Sequence, residues 1–201
     1  MRLSLIPALA LGLVALAQPA LSAPIPAEAR NAAAHVETLG AEAIEALAQP
    51  RLSPSARSSR LRSVLDEGIG IATICREIVG EAWAAAGPAE RRAFCGSFRD
   101  YLLGYLIAVL EEGALERFEV IGAEATASGD IKVATKVERE GLSVGAVAWI
   151  VRETGDGLEV IDVITDGVSL IGTYRAEFRA FVRRQGIEAL TAALDRKAAA
   201  R

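Results

Sequence analysis

Apolar residues recur at helical spacing through the first half of the chain and then switch to alternation. Between Ala27 and Ala48, the residues Val36, Leu39, Ala43, Ile44 and Leu47 share one side while Glu37, Glu42 and Glu45 fall on others, which predicts an amphipathic helix. Gln49-Pro50 stops it. Arg51 to Ser59 reads as a Ser/Arg/Pro linker in which Ser53 caps the next helix and Pro54 opens its first turn. A long second helix is expected to run to about Ala84, with Leu61, Val64, Leu65, Gly68, Ala72, Cys75, Val79 and Trp83 in one stripe and Ile71, Ile74 and Ile78 in another. A helix apolar on two faces sits between two partners. Gly68 and Gly70 allow close approach or a bend, at about 1 kcal/mol each relative to alanine. After the Gly87-Pro88 break, a third helix is expected to reach about Glu112, with Phe94, Phe98, Tyr101, Leu102, Tyr105, Leu106 and Val109 facing inward.

Beyond that point the period becomes 2. Phe118, Val120 and Gly122 alternate with Glu119 and Ile121, and Ile131, Val133, Thr135 and Val137 alternate with Lys132, Lys136 and Glu138. Ser128-Gly129-Asp130, Glu140-Gly141 and Gly155-Asp156-Gly157 are turn sequences. About four strands with tight turns between them predict an antiparallel meander. Val144 to Val151 and Leu158 to Ile164 are apolar on both faces, as expected of strands with a core on one side and a second apolar surface on the other. Two closing helices, Ser169 to Gln185 and Ile187 to Ala193, are split by Gly186. Helices, sheet, helices make an α+β domain.

The amino terminus stands apart from this pattern. Met1-Arg2, the apolar run Leu3 to Ala17 and the small residues around Ser22 read as a cleaved signal peptide over residues 1–22, leaving a single domain over 23–201. The run is shorter than the ~20 residues a membrane span needs, and no other run looks long and apolar enough for one. The apolar fraction of 52% is high and only partly explained by the signal, so aliphatic surface exceeds what one core requires. A formal net charge of −4 argues against a nucleic-acid partner, which selects a basic balance. Cys75 and Cys95 have no zinc spacing. In an exported chain they admit either one disulfide or two buried thiols.

Candidate chemistry is sparse. His35 is the one histidine, so neither a histidine-based triad nor a multi-histidine metal site can be assembled. Ser169 lacks the surroundings of a nucleophile elbow and reads as a helix cap. Asp162 and Asp166 are the best acid–base candidates. Asp166 falls in a turn, where an aspartate bonds its own backbone. An enzyme reading would rest on Asp162 as base and predicts a polar pocket around it. Arg175, Arg179 and Arg183 recur at i, i+4 and i+8, opposite Ile171, Tyr174, Phe178 and Val182. That stripe is either a solvated face or a basic edge for phosphate headgroups or an acidic partner.

Several strings resemble a known family. Leu52-Ser53-Pro54 through Leu65-Asp66-Glu67 is similar to the lead-in of the MlaC, or toluene-tolerance, family to its second helix, and Val79-Gly80-Glu81-Ala82-Trp83 to its Leu-Gly-x-x-Trp signature. Phe94, Phe98 and Tyr105 fall where its third helix carries aromatics. Val160-Ile161-Asp162-Val163, Gly167-Val168-Ser169-Leu170, Tyr174-Arg175-x-x-Phe178 and Gly186-Ile187-x-x-Leu190 resemble its closing segment most specifically. Ile69-Gly70 departs from the usual Phe-Asp, and Cys75 replaces an alanine.

The resemblance implies an NTF2-like curved antiparallel sheet packed with helices around an apolar lipid cavity. It also implies a non-enzymatic periplasmic phospholipid carrier without cofactors, an auxiliary component of an ABC transporter. Its partners would be an inner-membrane ABC transporter complex and an outer-membrane lipoprotein or porin complex, and its role the maintenance of outer-membrane lipid asymmetry. A branch associated with hopanoids is the alternative. On this reading the expected cavity lining is Ile71, Ile74, Ile78, Leu102, Leu106, Val133, Val147, Trp149, Val163 and Val168.

Overall fold

The computed structural model describes residues 25–49, 51–111, 115–139 and 142–200. The expected signal segment, Pro50 and the Glu140-Gly141 turn therefore lie outside the described residues. After a 3-10 turn at Ala27–Ala29 come α1 (Arg30–Leu47), α2 (Pro54–Gly68), α3 (Ile71–Ile78), α4 (Glu81–Ala85) and α5 (Pro88–Glu111). The strands are β1 (Leu115–Ala125), β2 (Ile131–Arg139), β3 (Leu142–Thr154), β4 (Gly157–Thr165) and β5 (Val168–Ser169), and α6 (Leu170–Ala199) closes the described chain. The five strands pair antiparallel in sequence order to form one curved, open sheet, so the fold is α+β. The fifth strand, of two residues, is the addition to the expected meander.

Local chemistry accounts for most boundaries. The Ser53 hydroxyl accepts from the Ala56 N–H at 3.2 Å, and Pro54 begins α2, as the Ser-Pro step predicts. At the other end of the chain, the Ser169 hydroxyl accepts from the Gly172 N–H at 2.7 Å and caps α6. Gly186 takes φ 84° and ψ 167°, a conformation that suits glycine, and kinks α6 where the two closing helices were expected to part.

The long second helix is not continuous, and tertiary hydrogen bonding explains why. Ile69 turns extended and forms an isolated parallel bridge with Val160 of β4, and the Gly70 N–H donates to the Val160 carbonyl at 2.9 Å. A side chain at Gly70 would meet Glu159, whose carboxylate accepts from the Thr73 hydroxyl at 2.7 Å. The chain thus leaves the helix to bond the sheet edge, and only a residue without a Cβ permits that approach. A second break follows at Gly80, where φ is 61° and ψ −129°. The result is an eight-residue α3 set apart by two glycines.

The core lies between the sheet and the helices. Val133, Val151 and Val160 from the sheet meet Leu61, Ile78, Phe94, Phe98, Leu102 and Leu103 from the helices, all essentially without exposure. Where α5 packs along α6, Phe98 meets Phe178 edge-on at 6.0 Å, Tyr174 stacks on Phe178 at 5.5 Å and Tyr101 meets Tyr174 at 5.7 Å. By length and hydropathy α5 would suffice to cross a membrane, contrary to the expectation of no such run after the amino terminus. In this fold its apolar face is spent on α6, α2 and α3. Cys75 and Cys95 are joined, tying α3 to α5 with the Cα atoms 5.7 Å apart.

Candidate functional site: a cleft between isoleucines and a charged mouth

Where α3, β4 and α6 meet, packing is incomplete. An inner cavity of about 10 Å³ lies under α3, bounded by Ile69 and Ile74, by Leu102 and Leu106 of α5, by Val160, Asp162 and Val163 of β4, and by Leu170 and Ile171 at the start of α6. An outer cleft of about 270 Å³ adjoins it. Its apolar wall is Ile74, Ile150, Ile161 and Ile171, and its polar wall Glu77, Ser128, Asp130, Arg152, Asp162 and Arg175. Ile74, Asp162 and Ile171 border both spaces and form the partition between them. The inner space is about the size of a single water, and the outer one falls just below the ~300 Å³ of small ligand sites.

A β-bulge builds this wall. Ile150 pairs with Asp162 and Val151 with Val160, which leaves Ile161 as the extra residue of β4. Val160 and Ile161 are consequently both buried, although neighbours on a regular strand point to opposite faces. Asp162 is turned toward the start of α6. Its Oδ1 accepts from the Val163 N–H at 2.8 Å and the Ile171 N–H at 3.0 Å, and its Oδ2 accepts the Ser169 hydroxyl. Both oxygens are engaged, so Asp162 joins β4 to the amino terminus of α6. Asp166 sits in the β4–β5 turn at φ 52°, with Gly167 at φ 78°, which is turn geometry.

The mouth is organised by Arg152. Its Nε and Nη2 donate to the two oxygens of Asp130 at 2.7 and 3.0 Å, and its Nη1 donates to Glu77 of α3. Asp130, 8% exposed, also accepts from the Ser128 hydroxyl at 2.9 Å. The hydrogen bond from Arg152 holds the Asp130 carboxyl below the usual carboxylate range, and the same pairing, with help from Glu77, raises Arg152. Arg175 comes within 4.0 Å of the Glu77 carboxylate, while Arg179 donates to the Glu77 carbonyl at 3.0 Å. The expected arginine stripe is therefore not one surface. Arg175 enters the cleft, Arg179 clamps α3, and Arg183 remains exposed.

Of the ten residues expected to line a cavity, Ile74, Leu102, Leu106 and Val163 border the inner one. The other six line neither of these two spaces. Ile78 and Val133 are fully buried in the core, and Ile71 is half-buried against it. Val147 is half-buried and its carbonyl accepts the Thr135 hydroxyl. Trp149 packs edge-on against Phe118 and donates its indole N–H to Thr135 at 2.9 Å. Val168 is 62% exposed at the short fifth strand. Val133, Trp149 and Val163 form one row across the sheet, and only its β4 end reaches the gap. Ile69, Ile150, Val160 and Ile161, outside the expected set, are aimed at these spaces by the helix break and the bulge, which are tertiary features, and Leu170 and Ile171 by the start of α6 after the Ser169 cap. Among the described residues, no three His, Cys, Asp or Glu side chains converge as a metal site.

This is an α+β domain whose open curved sheet and covering helices leave a water-sized apolar space beside a larger cleft of mixed polar and apolar lining. The family model described as MlaC protein matches residues 37–196, and the chain belongs to that family. Among solved structures, it is similar to the phospholipid-binding protein from Ralstonia solanacearum, solved in complex with a phospholipid. The identity is 21% and the TM-score 0.73, over 84% of this chain and 97% of that one, a likeness of fold. No curated protein matches this sequence.

Proposed function

We propose that the protein is a phospholipid carrier without enzymatic activity, exported to the periplasm, where it passes lipid between an outer-membrane lipoprotein or porin complex and an inner-membrane ABC transporter. On this reading it serves outer-membrane lipid asymmetry. The observation that carries the proposal is the pair of adjoining cavities that share Ile74, Asp162 and Ile171, in a chain of the MlaC family. A similar fold is known with a phospholipid bound. Each methylene withdrawn from water contributes about 0.8 kcal/mol, so acyl chains supply affinity without any reactive group. Loading requires the partition to part, and α3, bounded by Gly70 and Gly80, is the element placed to move.

Native mass spectrometry of the purified mature protein, followed by solvent extraction and lipid identification, tests the reading. Stoichiometric phospholipid is the expected result. A hopanoid-related lipid in its place would reassign the cargo, and a protein that stays empty after incubation with phospholipid vesicles would end the carrier proposal.

A further inference from the structure

The outer cleft joins an isoleucine wall to two guanidinium groups, an arrangement suited to the junction between acyl chains and a phosphate. The carboxylates of the mouth are unequally committed. Asp130 is held by Arg152 and Ser128, and Asp162 by Ser169, Ile171 and Val163. Glu77 alone serves two arginines from different elements, Arg152 of β3 and Arg175 of α6. Arg175 is the poorly satisfied member. Among the described residues its Nε is buried without a hydrogen-bond partner, its contact to Glu77 is 4.0 Å long, and its side chain as a whole is 42% exposed.

We propose that this mouth is a phosphate subsite in which Arg175, assisted by Arg152, binds the headgroup phosphate of the lipid, and that Glu77 occupies the place of that phosphate until cargo arrives. The inference rests on the carrier reading above. A phosphodiester carries the same single charge as Glu77, so the exchange leaves the mouth's charge balance unchanged while offering Arg175 shorter, charge-assisted hydrogen bonds. It also has a mechanical consequence. Glu77 and Ile74 lie three residues apart on α3, one turn of helix, so releasing the Glu77 carboxylate removes one restraint on the element that carries the partition, while the Cys75–Cys95 bond and the hydrogen bond from Arg179 still hold it to α5 and α6. Headgroup recognition is in this way coupled to the wall of the inner cavity. The ligand class is a phosphate-bearing diacyl lipid rather than a neutral one.

The test offers the protein vesicles containing equal amounts of dioleoyl phosphatidylglycerol and dioleoylglycerol and measures the ratio of the two lipids bound, by mass spectrometry. The wild type should favour the phospholipid about tenfold, the discrimination expected of charge-assisted hydrogen bonds. R175Q should bring the ratio close to one, and E77Q should increase it because the resident competitor is gone; an unchanged E77Q ratio overturns the exchange. Circular dichroism confirms that each variant is folded, and E77Q carries the test should R175Q not fold. Excess inorganic phosphate should leave the bound lipid unchanged. If phosphate alone emptied the protein, the site would be one for the free anion and the proposal would fall. Equal binding of both lipids by the wild type, or an unchanged ratio in R175Q, overturns the headgroup subsite and leaves the carrier standing. Failure to bind either lipid overturns the carrier reading, and this inference with it.

Discussion

The centre of the sheet and its β4 side are made from similar residues and behave as opposites. Across β2 and β3 the ladder runs regularly from Ile131–Val151 to Val137–Gly145, Val133 and Thr135 are fully buried, and the Thr135 hydroxyl both donates to Val147 and accepts from Trp149. The backbone ladder there is unbroken, and Val133 and Thr135 have no exposed surface. One strand away, a bulge at Ile161, a helix broken to bond Val160, and two glycines around α3 leave two spaces and a charged mouth. Aliphatic content alone does not separate the two regions. What separates them is interrupted backbone pairing, which keeps the isoleucines of α3, β4 and α6 from closing as the valines of β2 and β3 do.

The comparison can be broken most forcefully from the helical side of the core. Phe98→Ala removes the ring that meets Phe94, Tyr174 and Phe178, and should cost about 3–5 kcal/mol in urea unfolding. Replacing Cys75 and Cys95 together by alanine opens a cross-link of sequence separation 20 and should cost about 3 kcal/mol on the same assay, while amide exchange in α3 rises more than in β2. Equal exchange in both would deny that α3 is the looser element. Ile74→Ala should cost about 2 kcal/mol, the low end for a buried isoleucine because a space already adjoins it, and should speed lipid exchange with vesicles. Val133→Ala, made in the regularly paired centre, should lower stability and leave exchange unchanged.

The smallest effect concerns acid. Because Arg152 holds the Asp130 carboxyl below its unfolded range, the stability this pair contributes is fully present above the ordinary carboxylate value of about 4. It is lost as pH falls from there through the lowered folded value. R152M should flatten that part of the acid-unfolding curve by about 1–2 kcal/mol, and a curve as steep as the wild type's would assign the acid response to other carboxylates.

Much of this architecture was legible because its causes are local. Ser53-Pro54, the alternation around Val133, the Asp166-Gly167 turn and the Ser169 cap each act within a few residues. The break after Gly68 was not legible in the same way, since the stripe through Leu65, Ala72 and Cys75 continues across it. Its cause is a carbonyl on β4, distant in sequence. The bulge had the same effect on the site. In strands that read as apolar on both faces, the expected lining took in Val147 and Trp149 and passed over Ile150 and Ile161, while Val168, 62% exposed, lies at a short edge strand. The arginine stripe shows a further limit: equal spacing on a helix gave Arg175, Arg179 and Arg183 one expected role, and the position of α3 gives them three.

The central claim is that lipid is held on the β4, α3 and α6 side and not against the sheet's centre. A phospholipid bearing a photoreactive diazirine in its acyl chain, loaded into the protein, irradiated and mapped by peptide mass spectrometry, tests this most directly. Adducts should concentrate on Ile74, Leu106, Val163 and Ile171. Adducts on Val147 and Trp149 with none on α3 or α6 would contradict the account.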